Sequence, residues 1–273
     1  MAKVGIVVLN WNNLVDTIEC LQSILALEYK NYNIYIVDNG SSDNSITGIK
    51  KWCDESFSTS RVSYTFIDVD SDSSFIPPHD PILCSIIHLN KNLGYAGGNN
   101  YGIRFALAQG CHYVWILNND TVVEKSSLSL LVNAATHAKN TGVYGSCLLD
   151  YKKREIMQCL GGGKFNWLTT RNSYFCAGLH VNDAVHVDHI DRYINYISGA
   201  SMFIPADVIN DVGLISEDYF LYYEELDYSQ RCKRIGYELD VVSRSLVYHK
   251  FGSTLGSSLN VEQRSKTSVF YGT

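Results

Sequence analysis

The chain has 273 residues, enough for one large α/β domain or two small ones. Hydrophobic residues make up 46% of it, which excludes global disorder. Its 22 basic and 28 acidic side chains leave a formal charge of −6, against the broad basic face of a general nucleic-acid binder.

The first half alternates strand and helix. "KVGIVVLN" (3–10) is a β-branched run, and "LVDTIECLQSILAL" (14–27) has apolar residues at helical spacing. "YNIYIVDN" (32–39) is a second strand, and "GSSDNSITGIKKWC" (40–53) a turn, a capped start and a helix. "RVSYTFIDV" (61–69) adds a strand, and the polar, proline-bearing "DSDSSFIPPHDPI" (70–82) an exposed loop. "LCSIIHLN" (83–90) is a buried strand, followed by the glycine-rich turn of "KNLGYAGGNNYGIRFALAQG" (91–110), with a helix starting after the glycines. "CHYVWILNND" (111–120) is the next strand. Such alternation implies βαβ crossovers and a mostly parallel sheet flanked by helices.

After Asp120 the pattern changes. "SSLSLLVNAATHA" (126–138) is a helix capped by Ser126 or Ser127, and "TGVYGSCLLDY" (141–151) a strand. Residues 151–192 read as hairpins and irregular chain. "YINYISGASMFIPADVINDVG" (193–213) contains a strand, a short helix from near Pro205 and a stop at Gly213. "EELDYSQRCKRIG" (224–236) is a helix, and "YELDVVSRSLVYHK" (237–250) supplies short final strands. The eight cysteines stand singly, with no Cys-x-x-Cys pair, so they read as reduced core residues of a cytosolic protein, not zinc ligands. No apolar run reaches the roughly 18 residues of a membrane span, and the expected location is cytoplasmic.

Several amide- and acid-rich segments fall where parallel strands end: Asn10–Asn12, Asp38–Asn39, Asn90–Asn100 and Asn118–Asp120. One such terminus is a turn, because Asn and Asp bond their own backbone. Several along the carboxyl edge of one sheet mark a ligand site. A Rossmann dinucleotide fold needs Gly-x-Gly-x-x-Gly after the first strand, where this chain has "NWNN", and no Walker motif occurs. Gly94, Gly97 and Gly98 permit close backbone approach at a helix start, where phosphate binds; ordinary turn chemistry explains them as well.

The motifs "VVLNWNN", "IVDNGSSDNS", "NLGYAGGNNYGI", "WILNNDTVV", "SGASMFIPADVINDVG" and "YFLYYEELDYSQR" together resemble, in this order, family 2 glycosyltransferases with the GT-A fold. They look most like the rhamnosyltransferase-type subgroup of bacterial surface-polysaccharide assembly, over roughly residues 3 to 255. The resemblance implies one GT-A domain, with a Rossmann-like nucleotide-sugar-binding half (about 1–121) and a mixed acceptor-binding half (about 122–273). It implies that Asp38 holds a pyrimidine base, with Asn10, Trp11 and Asn39 beside it. Asn92, Gly94, Gly97 and Asn100 would flank the nucleotide and its sugar.

Asn118-Asn119-Asp120 occupies the Asp-x-Asp position with its first acid replaced, so Mg2+ or Mn2+ would fall to Asp120, joined by His249. A lone histidine at a strand end is as often structural. Glu224 and Glu225 stand at the family's Glu-Asp pair, whose second member is the general base; Asp227 reads as a supporting helix residue. The aromatic "YFLYY" before the pair argues against plain solvation, and apolar neighbours would raise a carboxyl pKa. His186 and His189 lack further ligands at zinc spacing and read as loop residues. The implied donor is dTDP-rhamnose or a UDP-sugar. The implied acceptor is a saccharide or polyprenyl-linked saccharide, met at the inner face of a membrane through peripheral contact. The departures at Asn118 and Glu225 also suit an inactive nucleotide-sugar-binding module.

Overall fold

The computed structural model describes residues 1–57, 64–69, 83–138, 140–183 and 190–250. The loop read at 70–82 and the pair His186 and His189 lie outside the described residues. The first half runs β1 (Val4–Asn10), α1 (Leu14–Leu25), β2 (Tyr32–Asn39), α2 (Ser45–Phe57), β3 (Tyr64–Val69), β4 (Cys84–Leu89), α3 (Gly94–Ala108) and β5 (Tyr113–Asn118). The second runs β6 (Thr121–Val123), α4 (Ser127–His137), β7 (Thr141–Asp150), β8 (Met157–Leu160), β9 (Gly162–Asn166) and β10 (Arg171–Tyr174). It finishes with β11 (Tyr196–Ile197), β12 (Ser201–Pro205), α5 (Ala206–Val212), α6 (Glu224–Arg234) and β13 (Glu238–His249).

Among the described residues, ten strands form one sheet in the order β3-β4-β2-β1-β5-β12-β7-β13-β6, with β8 on the side of β7. The five strands from β3 to β5 are parallel. β12 enters antiparallel between β5 and β7, and β13 runs parallel to β7. One continuous sheet therefore crosses the boundary near residue 121. A smaller sheet, β10-β9-β11, stands apart from it.

Side chains on each inner strand alternate between two apolar layers, as a period of two requires. Val4, Ile6 and Val8 join Ile34, Ile36, Trp115 and Leu117 in the layer that holds α1, α2 and α4. Val7 joins Tyr35, Val37, Val114 and Ile116 in the layer that holds α3. α3 lies so close to β1 that a Cβ on Gly102 would stand 2.4 Å from Val7 Cγ1. All eight cysteines are free thiols; seven are buried, and Cys176 is partly exposed.

Four local readings need correction. The helix α3 begins at Gly94, so Gly97 and Gly98 lie inside its first turns rather than before it. Glycine costs about 1 kcal/mol within a helix; here Gly98 packs on Leu9 of β1, and Gly97 lies against Leu93, each with no room for a side chain. The end of the chain's described part is one long strand, not several short ones. A bulge between Val242 and Leu246 absorbs the polar "SRS". Ser245 is buried there, its hydroxyl 3.0 Å from that of Ser146, which lies 3.0 Å from Ser201. Trp115 Nε1 donates to Ser201 at 3.0 Å, so the polar patch is satisfied inside the sheet.

Neither serine caps α4 by its side chain. Ser126 has helical φ and ψ of −86° and −8°, and the Ser127 hydroxyl donates to the Leu246 carbonyl at 2.9 Å. The three-residue β6 was hidden because it directly follows the Asn118–Asp120 turn; β13 pairs with it through Val247, Tyr248 and His249.

Replacing Gly102 by valine drives branched carbon into Val7. The expected loss is about 1–3 kcal/mol, the usual cost of overpacking, read from the midpoint of urea unfolding. An unchanged midpoint would mean that α3 can lift off β1 freely.

Candidate active site

Parallel register lines up the carboxyl edge. Asn10 lies opposite Asp38, Asp38 opposite His88, and Leu9 opposite Asn118. A buried hydrogen-bond chain runs along this row. Asn119 Nδ2 donates to Thr17 Oγ1 (2.8 Å), Thr17 Oγ1 to Asn10 Oδ1 (2.7 Å), and Asn10 Nδ2 to Asp38 Oδ1 (2.8 Å). His88 Nδ1 closes the row 2.9 Å from Asp38 Oδ2. Asp38 is fully buried and also accepts from the Ser41 hydroxyl (2.6 Å) and backbone N–H (3.2 Å). Its carboxylate therefore holds the β2 turn, and an incoming base could reach it only by displacing a bond.

The glycine-rich segment is knitted to the same edge. Asn39 Nδ2 donates to Asn92 Oδ1 (2.9 Å) and to the Gly94 carbonyl (3.0 Å), while Asn39 Oδ1 accepts from Leu93 N–H (3.0 Å). Gly94 has φ +75°, and a Cβ there would stand 2.4 Å from the Phe220 carbonyl oxygen. Only glycine fits both conditions. Gly97 is buried in the first turn of α3. Asn100 is also buried: Nδ2 donates to Ile215 O and Glu217 Oε1, each at 2.8 Å, and Oδ1 accepts from Ile215 N–H (3.1 Å). It braces the 215–217 segment. Trp11, by contrast, is 41% exposed.

At the end of β5, Asn118 is half-buried, and Asn119 and Asp120 are buried. β13 returns beside them and sets His249 Nε2 at 3.3 Å from Asp120 Oδ1. His249 Nδ1 lies 2.8 Å from Gln158 Oε1 and donates to it, which fixes the ring and aims Nε2 at the carboxylate. The next residue anchors the pair. Lys250 N–H donates to the Asp120 carbonyl (2.9 Å), and its ammonium binds Asp16 (2.6 Å) and Glu19. Burial works against that charge, but the bonds to Asp16 and Glu19 outweigh it and raise the Lys250 pKa.

The carboxylate pair opens α6. Tyr222 and Tyr223, just before it, have φ of +76° and +73°. Two adjacent non-glycine residues in the left-handed region cost of order 1–3 kcal/mol each and recur at functional sites. Glu224 is buried, and among the described residues its Oε2 has no hydrogen-bond partner. Glu225 is half-buried. Burial raises both pKa values, and for Glu224 the neighbouring Glu225 charge adds to the rise. Asp227 is engaged by Arg231 Nε at 2.8 Å, as a helix-supporting role requires.

A short strap joins the pair to the Asp120 turn. A Cβ on Gly199 would stand 3.8 Å from Glu225 Cβ, and the next residue's carbonyl, Ala200 O, accepts from Asn118 N–H (3.2 Å). The Tyr95 hydroxyl donates to the Gly199 carbonyl at 2.6 Å. Burial, then Glu224 and Glu225, keep the Tyr95 pKa well above its ordinary value, so it stays a donor. The Gly199–Ala200 strap thus links the start of α6 to the turn that carries Asp120. Reading the sequence missed Thr17, His88, Tyr95, Gln158, Gly199 and Lys250. Tyr95 and Gly199 stand inside motifs already singled out, whereas the others carry no local signal.

The family model for glycosyl transferase family 2 matches residues 5–158, more than half of the chain. A second, for glycosyl transferase family group 2, matches residues 113–267. The chain belongs to glycosyl transferase family 2. A curated relative, the low-salt glycan biosynthesis hexosyltransferase Agl10 of Haloferax volcanii, is 25% identical over 201 residues, 73% of this chain. The chain spans about half, 52%, of that relative's length.

Among solved structures, the mannosyltransferase PcManGT of Pyrobaculum calidifontis, in complex with GDP-Man and Mn2+, superposes with TM-score 0.63 at 12% identity. The match covers 91% of this chain and 57% of that one. GalNAc-T7 with UDP, GalNAc and Mn2+ gives 0.66 at 13% identity, over 91% of this chain and 44% of that one. TarS 1–349 of S. aureus gives 0.57 at 12% identity, over 92% and 61%. The fold is GT-A, a mixed α/β architecture with a large, mostly parallel central sheet. Among the described residues, no helix is long and apolar enough to cross a membrane.

The raised carboxyl pKa values set a sign for stability. Between the unfolded and folded pKa values the native chain holds more protons than the unfolded one, so stability falls as pH rises through that window. Glu224→Gln removes the buried acid. It should flatten this fall and raise the alkaline melting temperature, by about 2–4 °C for each kcal/mol relieved. Scanning calorimetry at acidic and alkaline pH measures it; an equal shift at both would sink the burial account.

Proposed function

We propose that this chain is an inverting, metal-dependent glycosyltransferase that uses a nucleoside-diphosphate sugar. The observation that carries the reading is the strap at Gly199–Ala200, which ties the acidic start of α6 to the Asn118–Asp120 turn. A base and a diphosphate site are needed within one cleft. Family membership supports the same reading. The runner-up, a nucleotide-sugar-binding module without turnover, draws on Asn118 standing in place of an acid.

In this reading residues of about 1–121 bind the donor. Asn10, Trp11, Asp38 and Asn39 form the base end, where Asp38 acts through the turn it holds and by exchanging one bond for a base N–H. Asn92, Gly94, Gly97 and Asn100 shape the glycine-rich wall, and Asn118 and Asn119 face the diphosphate. The donor is dTDP-rhamnose or a UDP-sugar, by likeness to rhamnosyltransferase-type members. Residues of about 122–273 bind a saccharide or polyprenyl-linked acceptor, in surface-polysaccharide assembly at the inner face of a membrane.

Asp120 Oδ1 and His249 Nε2, 3.3 Å apart, fit a shared divalent cation, Mg2+ or Mn2+, one hard oxygen and one imidazole nitrogen. Among the described residues no third His, Cys, Asp or Glu joins them, so substrate phosphates and water would complete the shell. The solved complexes with Mn2+ support a divalent ion. When bound, such an ion neutralises the charge of the departing diphosphate. Glu225 accepts the proton of the acceptor hydroxyl as that oxygen attacks the anomeric carbon. Glu224, protonated in its apolar setting, orients the pair and binds the acceptor.

Three outcomes are expected. Asp120→Ala should reduce transfer by orders of magnitude and abolish the stabilisation that manganese adds to donor binding in a thermal-shift assay. Glu225→Gln should lower turnover about 100-fold or more while donor affinity by calorimetry stays unchanged. Turnover of the unaltered chain should rise with pH along a limb set by the shared proton of Glu224 and Glu225. Full transfer by Glu225→Gln would remove it as the base, and loss in Glu224→Gln alone would move the role there.

A further inference from the structure

The hairpin of β9 and β10 exposes apolar side chains that the proposed chemistry does not use. Asn166 pairs with Arg171 across the hairpin, and between them Trp167 is 62% exposed and Leu168 is 96% exposed. This turn is built, not frayed. Asn166 Oδ1 accepts from the backbone N–H groups of Leu168 (3.0 Å) and Thr169 (3.1 Å), and Thr170 takes φ +53° to close it. The Trp167 ring stands edge-on to Phe165, with centroids 4.9 Å apart. A concave space of about 570 Å³ opens beneath, lined by Lys164, Phe165, Trp167, Leu168 and Arg171 among others.

The apolar surface continues toward the cleft. Phe165 packs on Tyr223 at 5.7 Å, and Tyr223 ends the exposed run Tyr219-Phe220-Leu221-Tyr222-Tyr223. Exposed aromatics over this length, with an outward leucine, exceed the scattered single residues normal for a soluble surface.

We propose that this hairpin docks the chain on an anionic lipid bilayer, with Trp167 and Leu168 entering the interface. Tryptophan at headgroup depth with an aliphatic neighbour is the composition that the interface selects. Charge complementarity names the lipid. The chain as a whole carries −6, yet Lys164 and Arg171 flank the tip, and no acid lines its concavity among the described residues. Lysine and arginine near an anionic headgroup layer are each attracted to it. A glycan at the same tip would need free amides or acids for its hydroxyls, but Asn166 bonds the Leu168 and Thr169 N–H groups, Asn172 the Tyr196 hydroxyl and Asn195 the Phe165 backbone.

The hairpin is tied to the carboxylate helix by backbone and side-chain bonds. β11 pairs with β9, Ile197 N–H donates to Ser229 Oγ on α6 (3.1 Å), and Gln230 Nε2 donates to the Asn195 carbonyl (2.6 Å). Docking there would set the cleft at a fixed height above the headgroups, in reach of an acceptor held in the membrane.

Co-sedimentation of the full chain with vesicles tests this without requiring transfer activity. The unaltered chain should bind phosphatidylcholine vesicles containing phosphatidylglycerol, less so as salt rises, and pure phosphatidylcholine more weakly. The double variant Trp167→Ser, Leu168→Ser should lose about tenfold or more in partitioning. Lys164→Ser with Arg171→Ser should weaken binding to anionic vesicles and spare the residual binding to neutral ones. A cooperative thermal unfolding transition close to that of the unaltered chain, kept in each variant and read by circular dichroism, shows that it folds. Absence of vesicle binding by the unaltered chain overturns the proposal. So does full binding by the Trp167/Leu168 variant, or a surface that instead pairs two copies, seen as a dimer that this variant splits. Loss of transfer with vesicle binding intact would count against the enzymatic reading and leave the docking surface standing.

Discussion

The Asp38 carboxylate is wholly buried, and a buried charge is tolerable only when donors surround it. Asn10, His88 and Ser41, which bonds it twice, supply those donors from three separate stretches of chain. Meeting that demand fixes the strand ends in register and locks the turn after β2. It also orients Asn10 so that its carbonyl can receive Thr17, which in turn receives Asn119. A line of polar groups thus runs under the carboxyl edge from β4 to the turn after β5. The apolar layers above and below give the sheet its stability, but this line gives the edge its shape.

The two halves are joined by backbone rather than by a linker. β12 inserts antiparallel between β5 and β7, so the segment just before it, Ser198–Ala200, must pass the end of β5. A mixed sheet extends a parallel core with antiparallel strands without creating a new edge between them. Here it brings α6 over the same carboxyl edge that the βα units had already made polar.

Much of this was legible from residue order. Continuous apolar runs such as "GIVVLN" and "YIVDN" marked inner strands because no polar residue interrupts their burial before the strand end. The polar termini at Asn10, Asp38 and Asn118 marked an edge because several of them recur at strand ends. What stayed hidden was long-range. Thr17 reads as one more polar residue in an amphipathic helix until Asn10 and Asn119 approach it. The "SRS" of β13 reads as a break until Ser146 and Ser201 satisfy Ser245 across the sheet. Glycines inside α3 read as a loop because helix propensity disfavours them, and only contact with Val7 and Leu9 overrides that preference. Side chains such as Asp38 and Asn100 were identified by position, but not the degree to which neighbours already occupy their bonding capacity.

The left-handed pair Tyr222 and Tyr223 has a consequence for timing. Two residues held against their backbone preference form a strained hinge beside Phe220, whose carbonyl accepts from Tyr95 N–H and lies against Gly94. That clasp belongs to the glycine-rich start of α3, which we propose walls the donor site, whereas the hinge carries Glu224 and Glu225. On the proposed reading, a nucleotide bound at that wall would pull on the hinge, and the two substrates would enter in a preferred order.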